Sequence, residues 1–135
     1  DLEYCTEINA PNPDTQYPWY SRRLPDNIVP VNYNIEMVMP GWGLEVYDGF
    51  INIKIDVLTP TRWILLHSKA EIDDLQYIKN KRGEEIEIEC NGIYILYDYY
   101  IIKTKKELNP ADGPFNINIL FIGFLPEIDS GIFEI

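Results

Sequence analysis

Glu84-Glu-Ile-Glu-Ile-Glu-Cys-Asn-Gly-Ile-Tyr-Ile-Leu-Tyr-Asp-Tyr-Tyr100 is the stretch on which the reading of the fold turns. Apolar and polar residues alternate on both sides of Asn91-Gly92. Asn-Gly is the favoured pair for a two-residue type I′ hairpin, because both residues tolerate positive φ. Such a turn would set Cys90 opposite Ile93, Ile88 opposite Ile95 and Ile86 opposite Tyr97. Glu85, Glu87 and Glu89 would face Asp98, Leu96 and Tyr94 on the other side. One face of the expected hairpin is apolar and the other acidic, so register and patterning agree. Cys90 falls on the apolar face, which argues against an exposed reactive thiol.

The same two-residue period extends in both directions. Val31, Tyr33, Ile35, Met37 and Met39 alternate with Asn32, Asn34 and Glu36, giving one face to bury. Ile51, Ile53, Ile55 and Val57 alternate with Asn52, Lys54 and Asp56; Phe115, Ile117, Ile119 and Phe121 alternate with Asn116 and Asn118. Trp63-Ile-Leu-Leu66 is continuous and apolar, as in a strand covered on both faces. Ser68–Lys81 has no clean period; Ile72, Leu75, Tyr77 and Ile78 suit a helix turn or an irregular strand, and a strand is expected. With 21 Ile and 3 Ala the composition favours strands. About seven strands, with turns at Pro40-Gly41, Pro60, Arg82-Gly83, Asn91-Gly92 and Asp112-Gly113, predict an all-β antiparallel sandwich over residues 22–135.

Residues 1–21 read differently. They hold Asp1, Glu3, Glu7, Asp14, Pro11, Pro13 and Pro18, which predicts an extended acidic leader. Tyr17, Trp19 and Tyr20 are aromatic residues that a bare linker would not need. The chain begins at Asp1 without Met, as a processed product or a cut piece does. Cys5 and Cys90 sit in no metal spacing. In an oxidising compartment they would close one long disulfide loop; elsewhere they would be two free thiols. No Asn-x-Ser/Thr sequon gives an independent sign of secretion.

Composition removes several functions. The 135 residues, 46% hydrophobic and 24% charged, suit one folded domain rather than a disordered tail. No apolar run approaches the roughly 18 residues of a membrane-spanning helix. A net charge of −11 argues against nucleic acid and anionic membrane surfaces. A single His and two distant Cys do not make a catalytic zinc site, although one His leaves a Ser-His-Asp arrangement open by count.

Arg23-Leu-Pro-Asp-Asn-Ile-Val-Pro-Val-Asn-Tyr33 resembles the opening of the N-terminal domain of M1 (gluzincin) zinc aminopeptidases. Tyr47-Asp-Gly49 leading into Ile51–Ile55, the segment Ile64-Leu-Leu-His-Ser-Lys69, the strand Phe115–Gly123 and Gly131-Ile-Phe133 are similar to that family's segments in the same order. The resemblance implies a β-rich domain that precedes a thermolysin-like zinc domain in a secreted or membrane-anchored protein. The family's His-Glu-x-x-His and Gly-x-Met-x-Asn motifs are absent, as is its Ala-Arg-x-x-Phe-Pro-Cys-Phe-Asp-Glu-Pro segment, and Glu134 stands where the family usually has Arg. No catalytic or metal residue is therefore carried over, and zinc is expected only in a downstream domain.

His67 and Ser68 are neighbours on a strand and point to opposite faces, so they do not form a nucleophile pair. Glu85, Glu87 and Glu89 line one strand face; a cation such as Ca²⁺ would suit them, but a solvated or edge-protecting row is the commoner use. Tyr94 and Tyr100 fall on that acidic face in the expected register and, with the three glutamates, form the candidate recognition surface. The expected function is a non-catalytic, structural or protein-recognising domain of an extracellular or cell-surface M1-like protein. The alternatives are the structural part of an active zinc aminopeptidase and an unrelated β-sandwich adhesion module. Expected partners are another protein, a catalytic domain of the same polypeptide, or a second copy joined at an open sheet edge. That edge is expected at Gly131–Ile135, uncovering Ile117, Ile119 and Phe121.

Overall fold

A computed structural model describes residues 2–9, 17–20, 27–38, 46–68, 71–124 and 133–134. The described strands are β1 (Ile28–Val38), β2 (Val46–Val57), β3 (Thr61–Ser68), β4 (Glu71–Lys79), β5 (Ile88–Tyr94), β6 (Tyr99–Leu108), β7 (Phe115–Phe124) and β8 (Phe133–Glu134). They form two four-stranded antiparallel sheets, β1-β2-β7-β4 and β5-β6-β3-β8. The chain is an all-β sandwich, as its alternation predicts.

The main core lies between the sheets. Ile51, Ile53 and Ile55 of β2 and Ile117, Ile119 and Phe121 of β7 meet Ile64 and Leu66 of β3 and Tyr100 and Ile102 of β6. A second core lies on the far side of the β5-β6-β3 sheet, where Leu65, Tyr99, Ile101 and Cys90 pack under Cys5, Ile8 and Trp19 of the leader. Two cores explain the continuous apolar run Trp63–Leu66: Ile64 and Leu66 serve one and Leu65 the other. Residues 71–79 are a strand whose register is shifted twice against β7, which is why its period reads poorly in the sequence.

The Asn91-Gly92 hairpin is not formed. Both residues lie inside β5, opposite Ile102 and Ile101 of β6. The observed partners of Cys90, Ile93 and Tyr94 are Lys103, Tyr100 and Tyr99. The chain reverses instead through a single 3₁₀ turn, Ile95–Tyr97, closed by Asp98 at φ 55°. Tertiary contact outweighs local preference here. The Asn91 N–H donates to the Glu3 carbonyl and its own carbonyl accepts from the Cys5 N–H, both at 2.9 Å. A Cβ at Gly92 would lie 2.6 Å from Ile8 Cδ1 and 2.7 Å from a Tyr4 ring carbon. Glycine is needed for close approach of the leader, not for a turn.

Three other expectations are corrected. The described leader is more than extended chain: it pairs with β5 at Tyr4–Asn91 and forms one-turn 3₁₀ helices at Thr6–Asn9 and Pro18–Tyr20. The β1 face expected to be buried remains open, with Val31, Tyr33 and Ile35 exposed by 52, 38 and 44%. It continues the face of Ile51 and Ile53, but the second sheet does not cover this edge strand. Finally, Ile117, Ile119 and Phe121 are fully buried rather than uncovered, while β8, paired with His67 and Ser68 of β3, stands as the last strand of its sheet among the described residues. Gly131, Trp42 and the Pro40-Gly41 turn lie outside the described residues.

Candidate functional site

The leader is fixed on the second sheet by covalent, aromatic and ionic contacts. Cys5 and Cys90 form a disulfide with Cα atoms 5.1 Å apart. Trp19 is fully buried; its ring stacks on Tyr17 at 4.5 Å and meets Trp63 edge-on at 4.8 Å. Lys103 Nζ lies 2.8 Å from both Glu7 and Glu89 and 5.1 Å from the Trp63 ring centre. Arg62 joins Glu89 at 3.1 Å and donates from Nε to the Thr104 carbonyl.

This network sets the charges. The hydrogen bond from Lys103 holds the carboxyls of Glu7 and Glu89 below the usual carboxylate range, and those two carboxylates raise the Lys103 ammonium. A lowered carboxyl adds stability above its unfolded value, near 4.5, and loses it as pH falls through the folded one. The raised lysine adds stability below about 10.5 and loses it as pH rises through its folded value. Acidification from pH 7 to about 3.5 should therefore cost the native chain more thermal stability than a Lys103→Met variant. Equal losses in two melting series would show that the Lys103 contacts do not hold the leader.

The expected recognition residues are dispersed. Tyr100 is only 2% exposed and faces the main core, where its hydroxyl accepts from Asn91 Nδ2 at 2.7 Å. Its assignment to an outer acidic face is wrong because β5 and β6 pair in a different register. Burial pushes its phenol well above the usual value. Tyr94 is half-buried beneath the leader's side of the sheet, with Tyr97 at 5.7 Å. Glu89 contacts Lys103 and Arg62, Glu87 reaches Lys105 at 3.3 Å, and Glu85 pairs through its main chain with Lys79 in an isolated β-bridge. The glutamates thus face separate partners and do not converge with the tyrosines. His67 meets Tyr99 edge-on, with ring centres 6.2 Å apart. Among the described residues no three His, Cys, Asp or Glu side chains group as metal ligands.

A second surface escaped the sequence reading. The outer face of the β1-β2-β7-β4 sheet is built in rows that cross the strands. Asn34, Asn52, Asn118 and Tyr77 are in register in one row. Asn32, Lys54, Asn116 and Lys79 form the next, and Glu36, Phe50, Leu120 and Asp74 flank the other side. Asn34, Ile35, Glu36, Phe50, Asn52 and Asn118 line a depression of about 360 Å³ that reaches the β1 edge. The signal was present in the sequence as asparagine recurring at the polar positions of three strands.

Glutamyl aminopeptidase of Bos taurus is 32% identical over 110 residues, covering 79% of this chain and 11% of the relative. The Homo sapiens protein is 29% identical over 122 residues, covering 88% and 13%. That of Bitis rhinoceros is 30% identical over 126 residues, covering 90% and 12%. The chain therefore spans about an eighth of the length of these curated relatives. No protein-family model matches it.

Proposed function

The chain belongs to the M1 family of zinc aminopeptidases, and we propose that within it this chain is a non-catalytic β-sandwich domain, placed ahead of the zinc domain and serving as scaffold or protein-recognition module. The observation that carries the reading is the alignment of most of the chain with a small fraction of relatives named glutamyl aminopeptidase. The residues present do not fit the family's zinc. Both cysteines are bonded to each other, and the single imidazole packs on Tyr99. The disulfide supports an extracellular or cell-surface setting.

A second reading, the structural part of an active enzyme, is favoured by the much longer relatives, which are glutamyl aminopeptidases. A transcript that continues into His-Glu-x-x-His would select it. Under either reading the 135-residue chain is expected to leave an aminoacyl reporter unhydrolysed, with or without added zinc. A rate that survives repurification and disappears with chelator would overturn this.

A further inference from the structure

We propose that the asparagine-rich outer face of the β1-β2-β7-β4 sheet binds an uncharged oligosaccharide, laid across the strands along the row Asn34–Asn52–Asn118. Asparagine is depleted in strands, so five of the chain's 11 asparagines on one sheet face need a cause. A merely solvated face would be served by Thr, Lys or Glu. None of these five amides makes a hydrogen bond to another protein group among the described residues. Each therefore keeps two donors and an acceptor for a ligand.

The chemistry fits sugar hydroxyls. A hydroxyl both donates and accepts, as an amide does, and adjacent hydroxyls on a pyranose engage neighbouring amides. Strand spacing of about 4.8 Å places the amides at intervals comparable to one sugar unit of an extended chain. Phe50, 37% exposed beside Asn52, offers a ring on which the C–H face of a sugar can lie. Charge selects the ligand further. Across the three rows, Lys54 and Lys79 balance Glu36 and Asp74, so the asparagine rows carry no net charge, while Asp48, Glu71 and Asp56 at their margins leave the rest of the face acidic, as the chain is. That overall charge opposes sulfated or sialylated glycans and nucleic acid.

The test uses the full 135-residue chain on an array of neutral cello-, xylo-, manno- and chito-hexasaccharides, with sulfated and sialylated glycans alongside. Binding to at least one neutral oligosaccharide is expected, and titration calorimetry should show about a tenfold loss for Asn52→Ala or Asn118→Ala, the worth of one or two lost hydrogen bonds. Phe50→Ala should weaken binding similarly. Melting curves establish that each variant is folded; Asn34→Ala, at an exposed edge position, gives the same readout should a central variant fail. Absence of binding to every neutral glycan, binding only to anionic ones, or binding unchanged in the amide variants would each overturn the proposal. None of these results bears on membership of the M1 family.

Discussion

Replacing Cys5 and Cys90 together by serine is expected to lower the unfolding free energy by about 4 kcal/mol, and the melting temperature by roughly 10–15 °C. The crosslink joins positions 85 residues apart, so it removes a large amount of chain entropy from the unfolded ensemble. It also closes a sheet edge. The main chain of Asn91 has both its hydrogen bonds to the leader in the segment the disulfide anchors. Losing the crosslink weakens the ordering of Glu3–Cys5, of Ile8 over Gly92 and of Trp19 over Trp63. Chemical denaturation of the reduced and double-serine proteins measures the effect. A loss under about 1 kcal/mol would mean that the noncovalent contacts alone hold the leader in place.

Trp19→Ala is expected to cost about 3–5 kcal/mol, the range for a large aromatic side chain removed from a packed site. Trp19 has no exposed surface and contacts Tyr17 and Trp63 in stacked and edge geometries. Its effect should be less than additive with the double-serine change, because both act through the same docked segment. In a four-member cycle, strict additivity would place Trp19 in an independently folding unit. A cost below about 1 kcal/mol for Trp19→Ala alone would show that the second core closes without it.

What could be read in the sequence follows from how local each cause is. The strands of Ile51–Val57 and Phe115–Phe121 are legible because their alternation and their burial coincide. Trp63–Leu66 is legible as a doubly covered strand because both neighbouring layers are apolar. Asn91-Gly92 misleads because its local preference for a tight turn is overridden by the leader, 85 residues away in sequence, lying against that strand. Tyr100 and the glutamates follow from the same error, since one wrong turn reassigns the face of every residue on the arm. Val31, Tyr33 and Ile35 carry the right pattern for a covered face, but the pattern does not reveal how far the opposite sheet extends. The asparagine face is legible only as polarity, because polar residues at outward positions are what any sandwich shows.

Chain order gives the Cys5–Cys90 link a consequence for biosynthesis. Cys5 leaves the ribosome 85 residues ahead of its partner, and the β6 strand that supports that partner is made later still. During that interval the Cys5 thiol waits for Cys90, the one other cysteine within these 135 residues. Among these residues Cys5 and Cys90 have no alternative pairing, and an unpaired Cys5 thiol can bond instead to a neighbouring nascent chain. Covalent dimers and higher species on non-reducing gels would then report crowded or slowed synthesis, and their reduction should return a single monomeric band.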